Sequence, residues 1–296
     1  MRVASRAGRL VLVDGAGAFD VARASKGRFG PDPDGVYQRW AEFAEWARGS
    51  GLDGSESGAE PLAAGDLDAP VRRPAQVFGI GLNYRDHAAE SGVTPPDSPA
   101  VFTKFPTCLA GPASTIVLPS RTVDWEVELV VVIGRRAEHV SEEHAWSHVA
   151  GLTVGQDISE RTVQLAGPVP QFSLGKSYPG FGPIGPWIVT PDEFANPDDL
   201  ELECSVDGRV LQKSRTRYMI FSVPELVARL SAVCPLLPGD LIFTGTPPGV
   251  GMARKPQEWL TPGTTLVSEI KGIGVMRNPV AAGPTYAASA AAHDGP

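Results

Sequence analysis

The sequence predicts a β-rich α+β protein, in which short strands alternate with tight turns and helices are few. Three observations carry that expectation. The 33 glycines and 28 prolines break the chain into short segments, because these residues permit or preset the dihedrals that turns require. From Val71 to about Val280, apolar runs of strand length recur between turn signals. One such run, from Val127 to Gly134 (Val-Glu-Leu-Val-Val-Val-Ile-Gly), is too apolar to lie open to water on both faces.

Taken in order, Leu10 to Val13 reads as a strand ending in the turn Asp14-Gly15. An amphipathic helix follows, with Val36, Trp40, Phe43, Ala44 and Ala47 on one stripe and Gly49 as its stop. These residues form a small N-terminal α/β unit. Gly51 to Pro70, rich in Gly, Ala, Ser and acid, reads as a linker. The expected division is therefore a small domain plus linker over 1–70, a main domain over 71–281 and an Ala/Gly-rich disordered tail over 282–296. Within the main domain, Ala75 to Ile80 is a strand, and Asn83 to Ser91 a short helix closed by Gly92. Gly151 to Asp157 is a strand, and Leu200 to Val206 pairs with Val210-Leu211 across Asp207-Gly208. Val223 to Val233 is helical, and Asp240 to Thr244 is a strand entering the loop Gly245-Thr246-Pro247-Pro248-Gly249.

Composition narrows the function. At 296 residues the chain suffices for one large domain, or a main domain with a companion. A hydrophobic fraction of 42% is that of an ordinary globular protein. Net charge −8 with scattered Lys and Arg argues against nucleic acid as a partner. No apolar stretch approaches the roughly 20 residues of a membrane span, and Leu10 to Val13 is too short for a signal-peptide core. Cys108, Cys204 and Cys234 have neither metal spacing nor a pairable framework, so a reducing cytoplasm is the expected location.

The chemistry starts at Glu126 and Glu128, two residues apart at the head of the apolar run. Strand alternation points both carboxylates the same way. Near a core they must share a proton or hold a cation, unless the strand is an edge with its glutamates in water. Asp157, at the end of another apolar strand, offers a third carboxylate. Three such groups plus water make a hard-oxygen site of the kind Mg²⁺ or Mn²⁺ takes. His87 and Glu90 share a face of one helical turn, the spacing by which a carboxylate orients an imidazole base, or else an incidental surface pair. Lys176, in Ser173-Leu174-Gly175-Lys176-Ser177, is either a fixed positive charge for a developing oxyanion or a solvated lysine. The loop Thr244 to Gly251 offers N–H groups and hydroxyls for a substrate carboxylate, or is a plain turn. Three other signals fail. Gly79-Ile80-Gly81-Leu82-Asn83-Tyr84 lacks the third glycine of a dinucleotide fingerprint. His144-Ala145-Trp146-Ser147-His148 lacks the glutamate of a zinc-protease helix, and the 244–251 loop lacks the Gly-Lys-Ser/Thr of a phosphate loop.

In this order the motifs resemble the fumarylacetoacetate hydrolase family over roughly Val77 to Val280. The likeness rests on Gly81-Leu82-Asn83-Tyr84-Arg85-Asp86-His87, the Glu126-Val127-Glu128 strand and Gln156-Asp157-Ile158-Ser159-Glu160-Arg161. It continues through Leu174-Gly175-Lys176-Ser177, Phe181-Gly182-Pro183-Ile184-Gly185-Pro186 and the Thr244–Gly251 loop. The resemblance implies a mixed β-sandwich or β-roll, usually a homodimer, with one Mg²⁺ or Mn²⁺ on Glu126, Glu128 and Asp157. It implies a His-and-acid pair at His87 and Glu90 and an active-site lysine at Lys176. Arg161 and Gln164 fall beside the metal, and Thr246 on a substrate-carboxylate contact. The Gly/Pro-rich segment Leu165-Ala166-Gly167-Pro168-Val169-Pro170 departs from members of known activity, which leaves specificity open.

The expected reaction is metal-dependent hydrolysis of a C–C bond in a 2-oxo acid with a second carbonyl, such as an acylpyruvate. His87, oriented by Glu90, would activate water. The resulting enolate, on the metal-bound half, would be stabilised by the metal and Lys176. Residues 82–90 are expected to close over substrate as a lid. Alternatives inside the family are decarboxylation of a β-oxo acid such as oxaloacetate and isomerisation of an unsaturated 2-hydroxy acid. A non-catalytic metal-binding protein is the alternative outside it.

Overall fold

The apolar run after Glu126 becomes a central strand of a large sheet. The computed structural model describes residues 1–15, 17–52, 59–90, 92 and 94–286. The middle of the expected linker, 53–58, and most of the expected tail, 287–296, lie outside them. Strand Val127–Ile133 is buried at every position, which its sequence requires because both of its faces are apolar beyond Glu128. It pairs antiparallel with Val149–Gln156 on one side and Leu241–Phe243 on the other. Leu241–Phe243 then pairs parallel with Val77–Gly81, and the edge strand Ala100–Thr103 closes that end.

Toward the other end, Val149–Gln156 pairs with Gly182–Val189, and Gly182–Val189 with Arg2–Arg6. Arg9–Asp14, Gly17–Asp20 and Glu60–Pro61 continue the same sheet. The N-terminal unit therefore has no sheet of its own. Arg2–Arg6 and Gly17–Asp20 are strands that the local pattern does not announce, and they are ordered by the neighbours they extend. The N-terminal helix runs Trp40–Gly49 and buries Trp40, Phe43 and Ala44, as its stripe predicts.

A second sheet holds Arg209–Arg215, Glu201–Val206, Thr265–Ile270, Gly274–Ala282 and Ile116–Leu118 in that order. Its hairpin turns at Asp207 and Gly208, both at positive φ. The last long strand thus reaches Ala282, the first residue of the expected tail. Alternation along Val127–Ile133 explains how the layers stack. Val127, Leu129, Val131 and Ile133 enter one core with Leu202, Leu266, Ile270 and Met276 of the second sheet and with Leu226 and Leu230 of helix Val223–Ser231. Val130 and Val132 enter the opposite core with Trp40, Phe43, Ile184 and Ile188. Each fully buried Val or Leu contributes about 1.5–3 kcal/mol of transfer free energy. The mixed, β-rich, few-helix architecture expected from the sequence is the one observed. No helix among the described residues is long and apolar enough to cross a membrane, and all three cysteines are free thiols.

Candidate active site

Glu126 and Glu128 share the even-numbered face of the central strand, the face that Val130 and Val132 bury further along. At the start of the strand this face opens on a cavity. Register supplies the third carboxylate: Val127 lies opposite Gln156, so Asp157 follows beside Glu126 and its N–H donates to Glu126 O at 2.9 Å. All three side chains are buried, and one oxygen from each lies within 4.8 Å of the others.

Buried carboxylates need partners, and two of the three have them. Lys176 Nζ donates to Glu126 Oε2 at 2.6 Å, Asp157 Oδ2 at 2.7 Å and Ser159 Oγ at 2.7 Å. Arg161 donates through Nη2 to Glu126 Oε1 at 2.7 Å, and forks onto Asp124 Oδ2 through Nε at 2.9 Å and Nη2 at 2.7 Å. Lys104 Nζ donates to Asp157 Oδ1 at 2.7 Å and to the carbonyl of Lys176. Burial alone would push the Glu126 carboxyl up; Lys176 and Arg161 outweigh it and hold the group well below the usual carboxylate range. Burial likewise opposes the charge of Lys176, but Asp157 and Glu126 raise its pKa, so it stays an ammonium.

Glu128 differs. It accepts one hydrogen bond, from Gly245 N–H at 2.8 Å, and has no cationic partner at ion-pair distance among the described residues. Burial first, then the charges of Asp157 and Glu126, push its pKa well above the ordinary value. Three converging hard-oxygen donors, one lacking a counter-charge, fit a divalent cation. Gly245 is required here: its φ is +100°, and a Cβ would stand 2.6 Å from that of Asn83. Asn83 is itself fully buried. Its amide donates to the carbonyls of Phe221 and Thr244 and accepts from Phe221 N–H, which fixes the loop ahead of the histidine.

Helix Arg85–Glu90 places His87 on the cavity wall. His87 Nδ1 lies 2.7 Å from Glu90 Oε1, and Gly249 N–H donates to both Glu90 oxygens at 2.9 and 3.0 Å. The spacing-based pairing of His87 with Glu90 is thus present, and it ties the helix to the Thr244–Gly251 loop. Ser91 and Val93, which follow the helix, lie outside the described residues. Arg161 and Gln164 belong to helix Arg161–Gln164, capped by Glu160 accepting from Thr162 and Val163 N–H. Gln164 Oε1 accepts from Arg161 Nη1 at 2.8 Å. Thr246 also lines the cavity, but its hydroxyl is engaged within the protein. It donates to Val127 O at 3.0 Å and accepts from Gln212 Nε2 at 2.8 Å.

All nine residues singled out from the sequence lie in or directly behind one site. The cavity holds about 220 Å³ and is lined by His87, Glu126, Glu128, Arg161, Gln164, Lys176 and Thr246, with Asp157 and Glu90 behind them. Its other walls are Ile80, Gly81, Leu82, Phe102, Leu165, Phe172 and Met252. Sequence reasoning missed Lys104 and Asp124. Lys104 stands between Thr103 and Phe105 in an apolar stretch, a placement that could have flagged a buried cation. Asp124 is overshadowed by the glutamates that follow it, yet it anchors Arg161 and accepts from Gly251 and Met252 N–H at 2.7 and 3.0 Å.

The model of the fumarylacetoacetate (FAA) hydrolase C-terminal domain matches residues 76–281. The mitochondrial oxaloacetate tautomerase FAHD2A of Bos taurus is 45% identical over 214 residues, covering 72% of this chain and 68% of the relative. The crystal structure of a Mycobacterium smegmatis protein provisionally assigned as HpcE superposes with a TM-score of 0.90 at 51% identity, covering 95% of this chain and 99% of that one. The maleylpyruvate hydrolase of Sphingobium sp. SYK-6, in complex with manganese(II) and pyruvate, gives a TM-score of 0.75 at 26% identity, covering 96% and 100%. With two-thirds of its length matching the family model and relatives this similar across that span, the chain belongs to the fumarylacetoacetate hydrolase family.

Proposed function

We propose that this protein is a divalent-cation-dependent hydrolase that cleaves a C–C bond in a 2,4-dioxo acid of the acylpyruvate type. The observation that carries the proposal is the His87–Glu90 pair on the wall of the same cavity as the three carboxylates and Lys176. Hydrolysis needs a water-activating base beside a site for a 2-oxo acid, and decarboxylation does not.

Glu126, Glu128 and Asp157 would hold the cation, which when bound supplies Lewis-acid polarisation to a 2-oxo carboxylate head. Mg²⁺ and Mn²⁺ both suit an all-oxygen donor set. With Nδ1–H donating to Glu90, His87 carries its basic lone pair on Nε2 and takes a proton from water there. The hydroxide adds to the distal carbonyl. The bond between that carbon and the neighbouring methylene breaks, and its electron pair passes into the pyruvate half as an enolate. Lys176, whose ammonium is held by Glu126, Asp157 and Ser159, serves as a fixed positive charge against the developing anion. A proton returned to the enolate carbon gives pyruvate, and the acyl half leaves as a carboxylic acid. Pyruvate bound in the maleylpyruvate hydrolase neighbour is consistent with such a product.

One second reading has specific support. The relative from Bos taurus is named an oxaloacetate tautomerase, and keto–enol exchange needs the same oxo-acid head and proton carrier without attack by water. Turnover of acetylpyruvate and oxaloacetate by wild type and His87→Ala, with Mg²⁺, Mn²⁺ or EDTA, separates the two. The expected outcome is EDTA-sensitive loss of the diketone absorbance with pyruvate released, slowed by about 10²–10⁴-fold in His87→Ala. Equal hydrolysis by both proteins would overturn the mechanism. Oxaloacetate tautomerisation with no acetylpyruvate cleavage would transfer the assignment to the second reading.

A further inference from the structure

The cavity is divided by chemistry and by depth. Glu126, Glu128, Arg161, Gln164, Lys176 and Thr246 are all buried and form its floor. Its outer wall is apolar and more open: Leu82, Phe172 and Met252 are half-buried, and Leu165 is 44% exposed. Phe102 joins floor to wall. The Lys176 ammonium lies 5.1 Å from its ring centroid, and its ring packs edge-on against Phe172 at 5.9 Å.

The cations of the floor are already committed. All three N–H groups of Lys176 are used by Glu126, Asp157 and Ser159. Arg161 spends its guanidinium on Asp124, Glu126 and Gln164. No further Lys or Arg is among the described residues lining the cavity. A second carboxylate at the far end of a substrate would therefore lie against apolar side chains with no fixed Lys or Arg to hold it, giving up part of its hydration with nothing in return. From this we infer that the substrate is a 2-oxo acid with an uncharged, apolar tail rather than a diacid, the tail lying against Leu82, Leu165, Phe172 and Met252. Leu165 opens the Gly/Pro-rich segment whose sequence left specificity open, and through Leu165 that segment reaches the cavity wall.

The inference rests on the oxo-acid site proposed above, and binding tests it without catalysis. Calorimetry of the Mn²⁺-loaded protein with pyruvate, 2-oxopentanoate and 2-oxoheptanoate should show affinity rising by about fourfold per buried methylene. The closest comparison is 2-oxoglutarate against 5-methyl-2-oxohexanoate, which differ by a carboxylate against an isopropyl group of similar shape. The apolar acid should bind at least about tenfold tighter, because its isopropyl group gains from contact with the wall while the carboxylate finds no partner there. In Leu165→Arg, an exposed position where the fold tolerates change, the order should invert. A flat tail series, or tighter binding of 2-oxoglutarate by wild type, would overturn the inference. Loss of acylpyruvate hydrolysis with the apolar preference intact would instead overturn only the proposed reaction.

Discussion

Glu128 is the residue at which the fold works against itself. Its pKa is raised, so without a cation the folded protein keeps a proton that the unfolded chain loses in the ordinary carboxylate range. Stability conferred by that proton is complete below the unfolded value and declines as pH rises toward the folded one. In EDTA, Glu128→Gln should therefore flatten the fall of the urea midpoint with rising pH relative to wild type. The same substitution should weaken Mn²⁺ binding by more than the roughly 10–100-fold typical of outer-shell partners. Cation binding to wild type should release a proton, read by calorimetry in two buffers of different ionisation enthalpy. Arg161 shows the opposite logic. Removing it strands Asp124 and Glu126 in the interior, so Arg161→Ala should cost about 3–5 kcal/mol by urea unfolding, partly recovered by adding Asp124→Asn.

At the scale of elements, the site depends on close approach between two short helices. Helix Phe172–Gly175 carries Lys176 as its C-terminal neighbour, and Arg161–Gln164 carries the arginine. A Cβ on Gly175 would stand 2.5 Å from Gln164 N. Gly175→Ala should accordingly move Lys176 by part of an ångström, slowing turnover by about 10²-fold at a stability cost of about 1–3 kcal/mol. A variant with wild-type kcat would contradict this account. What could be read from the sequence here was local. Strand alternation places Glu126 with Glu128, and helical spacing places His87 with Glu90, because each pair lies within one turn or one pleat. Lys104 and Asp157 are 53 residues apart, and Asp124 and Arg161 are 37 apart. Only the register of the folded sheet brings such partners together, so the counter-charges that make the carboxylate cluster tolerable could not be read from spacing.

Across the whole molecule, the N-terminal segment covers one face of the sheet whose central strand carries the glutamates. Trp40 and Phe43 pack on the layer containing Val130, Val132, Ile184 and Ile188. The sequence showed the helix and its stripe, but nothing local revealed that its partner is the central strand of the main domain. Deleting residues 1–50 should expose that apolar face and give aggregated protein, whereas Phe43→Ala in the full chain should fold with about 3–5 kcal/mol less stability. Soluble, monodisperse truncated protein by size-exclusion chromatography would show that the cover is dispensable. A last consequence follows from the segment Leu165–Gln171, exposed at every residue and beginning immediately after the buried Gln164. The three carboxylates stand at the ends of the sheet's buried strands with their Lys and Arg partners buried beside them, where most substitutions are disruptive. The surface that meets the tail lies partly on a loop whose substitutions cost the fold little. A change of tail preference is therefore expected to arise more readily from this loop than from the carboxylate cluster.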